Sequence, residues 1–186
     1  WSATPTGIQI GPDTTVHLCG SFTGGNAAQL LQFKASGTNG HVITLLFETG
    51  AVLQPSYCAS TGCIDLNGES YILIDGGTTC GEVTKWVVTA CNGTIQNYLA
   101  GSTGATCPGG ACSTLSGSTS SAGIGNSTGS PTNIEVRNLK TLMYTRLAAD
   151  TTDSGMGTTG IGWGGGSLPS SIIVHNMVMT GSGKHM

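Results

Sequence analysis

The sequence predicts an all-β chain wound as a solenoid, and three observations carry that expectation. Its apolar residues fall in short runs rich in Val, Ile, Leu and Thr, each closed by Gly, Asn, Asp or Ser, the pattern of strands and turns. Only 8% of residues are charged, and 31 glycines with abundant Ser and Thr replace the usual Lys, Glu and Ala, so long amphipathic helices are not expected. A loose repeat, IQNY, VRNL and VHNM, sets Asn97, Asn138 and Asn176 at equivalent places. Their separations would fit about two coils each, and stacked asparagines satisfy their amides by bonding the turns above and below.

The runs follow one another in a steady rhythm. TTVHLCGSF at 14–22, LLQFKAS at 30–36 and HVITLLFETGAVL at 41–53 come first, then IDLNGESYILIDGG at 64–77. KWVVTA at 85–90 and TIQNYL at 94–99 are the next strands expected. From about 100 to 130 the chain is almost wholly Gly, Ser, Thr and Ala around CPGGAC. A cysteine pair inside such a stretch marks an insertion meant to hold a shape, not a floppy linker. NIEVRNLKTLMYTRL at 133–147, GIGWGGG at 160–166 and SSIIVHNMVMTG at 170–181 resume the rhythm.

A chain of 186 residues is read as one domain, 1–186. Its mean hydropathy is slightly positive, so it is expected to fold despite its low charge. A net charge of −3 with six Lys and Arg leaves no basic stripe for a phosphate backbone, which argues against nucleic acid and anionic membranes as partners. No apolar run reaches the length of a membrane span.

Six of the seven cysteines form three local pairs, Cys58 with Cys63, Cys80 with Cys91, and Cys107 with Cys112, leaving Cys19 over. CASTGC and CPGGAC each enclose small turn-forming residues, so disulfides in an oxidising compartment are the preferred reading. A zinc ion held by four thiolates is the alternative, although zinc knuckles use tighter spacing. Cys19 is expected to be buried and inert.

The segments IDLNGESYILIDGG, NIEVRNL and GIGWGGGSLPSSIIVHNMVMTGSG resemble right-handed parallel β-helix proteins of the pectate-lyase-like superfamily, and GIQIGPDTTVHLCGSF resembles the first coil of secreted bacterial members. The resemblance covers most of the chain outside 100–130. It specifies fold more than function, because the superfamily includes polysaccharide lyases, glycosidases, epimerases, tailspikes, carbohydrate-binding modules and adhesins. It implies a secreted right-handed parallel β-helix with a sugar polymer lying along a groove on one parallel sheet.

Each chemistry in that group makes demands on residue type. A lyase needs carboxylates for calcium and a base to take the proton α to a uronate carboxyl. Arg137, Lys140 and Arg146 form the one cation cluster in the sequence, near Glu135, Asp150 and Asp153. By alternation Arg137 points away from Val136, where it could meet a uronate or simply cap a solvated face. A glycosidase needs two carboxyl groups across the scissile bond. Asp150 and Asp153 in AADTTDSGMG are the candidates, although Asp side chains in such a loop ordinarily bond nearby backbone amides, as Asp75 in IDGG is expected to do. No cofactor is expected, apart from calcium if the chain is a lyase.

A binding module needs only rings that stack on sugar faces and a few amides and hydroxyls. Trp163, Trp86, Tyr144 and Tyr57 are candidates, with Trp163 favoured because its flanking glycines permit close approach; Lys140 joins them as a polar contact. His17 and His175 stand singly in strands and His41 opens one, so each reads as a surface or satisfied residue and not as a metal ligand. Asn92 and Asn126 match the glycosylation pattern and also ordinary turns. A polysaccharide-binding module is therefore placed first, ahead of a polysaccharide-degrading enzyme and of a structural or adhesive solenoid. After IIVHNMVMTG no amphipathic helix or polar cap follows, so the carboxyl end is expected to meet another chain, to self-associate, or to continue into a longer helix.

Overall fold

The computed structural model describes residues 1–25, 27–55, 57–78, 91–96, 120–143, 157–162 and 170–180. Within them the chain is all-β with no helix, and its strands lie in three stacked parallel sheets. The first sheet holds β1 (Thr15–Leu18), β4 (Ile43–Phe47), β7 (Ile72–Asp75), β10 (Thr132–Arg137) and β13 (Ser170–His175) in that spatial order. The second holds β2 (Ser21–Gly24), β5 (Val52–Pro55), β8 (Gly93–Gln96), β11 (Leu139–Leu142) and β14 (Val178–Thr180). The third holds β3 (Leu31–Gln32), β6 (Ile64–Asp65), β9 (Ser120–Gly125) and β12 (Gly157–Ile161). The chain visits the sheets in turn, so each circuit lays one strand on each, an arrangement compatible with a β-helix.

Alternation decides which residues enter the core. Ile43, Ile72, Ile134 and Ile172 stand in register on the first sheet, as do Leu45, Ile74, Val136 and Val174 two residues on. On the second sheet Leu53 and Ile95 are in register, and on the third Leu31, Ile64, Ile124 and Ile161 follow one column. Ile43, Leu45, Ile72, Ile74, Ile95, Ile124 and Ile134 are almost wholly buried. β-Branched side chains stacked at the strand spacing bury each other's faces, which is why short strands suffice here.

Three of the runs seen in the sequence are broken by a corner. TTVHLCGSF divides into β1 and β2, HVITLLFETGAVL into β4 and β5, and NIEVRNLKTL into β10 and β11. The corner between the first and second sheets carries a left-handed residue in every circuit: Gly20, Gly50, Gly77, Asn138 and Asn176. Glycine and asparagine are the residues that take this conformation at least cost. The asparagine repeat is therefore a corner signal. Asn138 and Asn176, 38 residues apart, bond directly to each other and lie one coil apart, not two, while Asn138 stacks on Asp75, 63 residues before it. Asn97 lies outside the described residues.

Ser120–Gly125, within the Gly/Ser/Thr-rich stretch read as an insertion, is strand β9 of the third sheet. Its small residues answer to close neighbours: a side chain on Gly123 would stand 2.6 Å from the Gly160 carbonyl oxygen, and one on Gly125 would strike the Thr61 carbonyl oxygen. The Cys58–Cys63 disulfide is formed and both cysteines are fully buried, so this pair holds no zinc. Cys91 is disulfide-bonded, whereas Cys80, Cys107 and Cys112 lie outside the described residues. Cys19 is exposed, against the expectation that it is buried, because it occupies the solvent-facing corner between β1 and β2.

The two ends of the stack differ. Before β1, Trp1 packs on the buried Phe33 with ring centroids 5.5 Å apart, and Ile10 packs against the core. In the last circuit the core-column residue Val174 is 41% exposed and Met179 39%. Residues 181–186 lie outside the described ones, and among those described no helix is long and apolar enough to cross a membrane.

Candidate functional site

The outward face of the first sheet carries an open groove of about 430 Å3. Its shape starts from the backbone. Tyr71, Asn133 and Ser171 all adopt left-handed φ of 55–56° and, one position before the register pairs of Ile72, Ile134 and Ile172, recur at the same place in successive circuits. Each bends the chain as it enters β7, β10 or β13. The turn before β4 supplies Asn39, Gly40 and Val42 to the groove, and the outward residues Leu73, Glu135 and Ile173 form its lining along the sheet. Leu73 and Glu135 are in register, as are Glu135 and Ile173, and Ile173 is 59% exposed.

Two residues along the strands, a polar cluster borders the groove. Arg137 pairs in register with Asp75 on β7 and His175 on β13. Its Nε donates to Asp75 Oδ2 at 2.8 Å, and its Nη2 lies 2.7 Å from the same oxygen. Its Nη1 donates to Glu135 Oε1 at 3.0 Å, and His175 Nε2 meets that Glu135 oxygen at 3.0 Å. Asp75 Oδ1 accepts from the Gly77 amide at 2.9 Å and from Asn138 Nδ2 at 3.0 Å. Asn176 Nδ2 donates to Asn138 Oδ1 at 3.3 Å, which extends the polar column by one coil. Asp75 is thus the turn residue expected from IDGG and also the anchor of this column.

The electrostatics follow from these bonds. Burial works hardest on Asp75 and favours its neutral form, yet the bonds from Asn138, Gly77 and Arg137 together outweigh it and hold the carboxyl below its ordinary range. The bond from His175, against burial and aided by Arg137, does the same for Glu135. Arg137 is held more firmly charged than usual, first by its bond to Asp75, against burial, and then by the charges of both acids. Both carboxylates are ionised at neutral pH and neither is held protonated to act as a general acid.

Of the residues singled out in the sequence, Arg137 is on the outward face opposite Val136, as alternation requires. Lys140 lies past the Asn138 corner on β11 of the second sheet, in register with Thr94 and Val178, so it does not share a face with Arg137. Asp150, Asp153, Trp86, Trp163 and Tyr144 lie outside the described residues. Of the two glycosylation-pattern asparagines, Asn126 is buried, with its amide accepting from Gly68 and donating to the Gly129 carbonyl. His17 and His41 are exposed and bonded to Glu48 and Asp13. Sequence reasoning passed over Tyr71, Leu73, Asn133 and Ile173 as lining residues, since only the register between distant strands brings them together.

The groove offers apolar surface from Leu73, Ile173 and Val42, a phenol from Tyr71, and amides and a hydroxyl from Asn39, Asn133 and Ser171. Apolar surface and hydrogen-bonding groups thus stand side by side, next to the carboxylate of Glu135. Among the described residues no group of three or more His, Cys, Asp and Glu side chains could hold a metal ion. Comparisons with protein-family models, with curated proteins and with solved structures gave no match.

Proposed function

We propose that this chain is a secreted right-handed parallel β-helix, similar to the pectate-lyase-like superfamily, that binds an extracellular polysaccharide along the outward face of its first sheet. The observation that carries this reading is the single groove that spans several circuits of that sheet, with Tyr71, Leu73, Asn133, Ser171 and Ile173 at equivalent strand positions. The right hand rests on the general chirality of crossovers between parallel strands. The Cys58–Cys63 disulfide fits an oxidising compartment and supports secretion.

At this groove, binding is favoured over cleavage by the state of the two carboxyls in its polar cluster. A glycosidase needs one carboxyl kept protonated, and a lyase needs a free base. Asp75 and Glu135 are both held ionised, and Arg137 is held charged by both acids. A glycan array probed with the wild-type chain and with Tyr71→Ala, alongside a reducing-sugar assay, tests the reading. Retention on a polysaccharide, weakened about tenfold or more by loss of the ring, with no release of reducing ends, is the expected result. A folded wild-type chain that no polysaccharide retains would remove it.

A further inference from the structure

We infer that the groove selects an uncharged linear glycan and rejects polyuronates, a refinement that rests on the polysaccharide-binding reading above. The groove has one charged lining residue, Glu135. Its carboxylate is held in the ionised form by His175 and Arg137, so a negative charge stays fixed beside any ligand that lies across β10.

The cation that could offset a uronate is already committed. Arg137 directs Nε and Nη2 at Asp75 and Nη1 at Glu135. With Asp75 and Glu135 both ionised, the two acids outnumber this guanidinium, and a carboxylated sugar would have to displace an internal carboxylate to reach it. Lys140 stands on another sheet. A polyanion entering the groove therefore meets an ionised Glu135 whose guanidinium partner is already bonded to two carboxylates.

The remaining lining suits a neutral sugar chain. Apolar sugar faces meet Leu73, Ile173 and the Tyr71 ring, and hydroxyls meet the amides of Asn39 and Asn133 and the Ser171 hydroxyl. Successive circuits set these side chains side by side at the strand spacing of about 4.8 Å, so a ligand that touches more than one of them lies across several strands. Over β7 and β10 an extended peptide is a poorer occupant, because both are hydrogen-bonded to strands on either side and only β13, at the end of the sheet, has a single partner there.

The test uses matched polymers that differ only in charge: β-glucan with its C6-carboxylate form, mannan with mannuronan, and methyl-esterified with de-esterified polygalacturonate. Each is titrated against the wild-type chain and against Glu135→Gln, whose amide oxygen still accepts from Arg137. The expected result is that at least one neutral polymer binds at least tenfold more tightly than its acidic partner. Added salt should narrow that gap, as should the substitution. Equal or tighter binding of the acidic member of every pair that binds would overturn this inference while leaving polysaccharide binding intact. Retention of none of the polymers, by a chain whose circular dichroism shows it folded, would overturn both.

Discussion

At the scale of single residues the polar column on the first sheet is the most informative feature. Asp75 is 8% exposed, yet it is stabilised as an anion by four donor contacts, from Gly77, Asn138 and two guanidinium nitrogens. Arg137→Met should destabilise the chain by about 1–2 kcal/mol, the lower part of the range for charged hydrogen bonds because the guanidinium partly faces water. The pH dependence has a definite sign. Folded-state pKa values of Asp75 and Glu135 lie below their ordinary ones, so the unfolded chain takes up protons first as pH falls. The stability these groups contribute is complete above the ordinary carboxylate range and is lost as pH drops through it to the folded values. Urea midpoints measured from about pH 7 to about pH 3 should fall for the wild type and fall less steeply for Asp75→Asn; parallel curves would contradict the assignment.

Elements here are set by their corners as much as by their strands. Gly76 follows β7 where the next coil passes close, and a side chain there would collide with the Asn138 carbonyl oxygen. Gly76→Ala should push β7 and β10 apart beside the Asp75–Arg137 bond and cost at least about 2 kcal/mol, as expected for overpacking against backbone. Gly25, where an added side chain meets nothing and φ is not left-handed, provides the control, and Gly25→Ala should be close to neutral. Thermal denaturation of the two variants checks this, and similar losses in both would refute the close-approach argument. The same logic explains β9, whose small residues read in the sequence as part of an insertion. They form a strand because the neighbouring coils leave room for little else, and no local pattern announces that.

For the molecule as a whole, a solenoid's stability is approximately a sum of coil and nearest-neighbour terms. The inner coils, whose β4, β7 and β10 have partners on both sides and whose Ile43, Leu45, Ile72, Ile74 and Ile134 are almost fully buried, should open last. β13 has one partner strand in its sheet and exposes Ile173 and Val174. Native-state hydrogen exchange should therefore show protection greatest in β7 and lowest in β13. Equal protection of β7 and β13 would show that another element covers the last coil.

The sequence by itself determined the all-β class, the short strands, their in–out alternation and the Cys58–Cys63 bridge, because side-chain period and turn chemistry are local properties. It also marked Asn138 and Asn176 as stacked residues, since asparagine is among the few residues that both turn a left-handed corner and bond its image one coil away. Only the tertiary structure decided the length of each coil, the placement of β9, the exposure of Cys19 and the sheet on which Arg137 and Lys140 part company. It alone assembled the groove, whose lining residues come from circuits separated by long connections of unequal length. Register between such distant strands is fixed by the stacking of Ile43, Ile72, Ile134 and Ile172 in one core column, and stacking is a property of the packed chain rather than of any one segment.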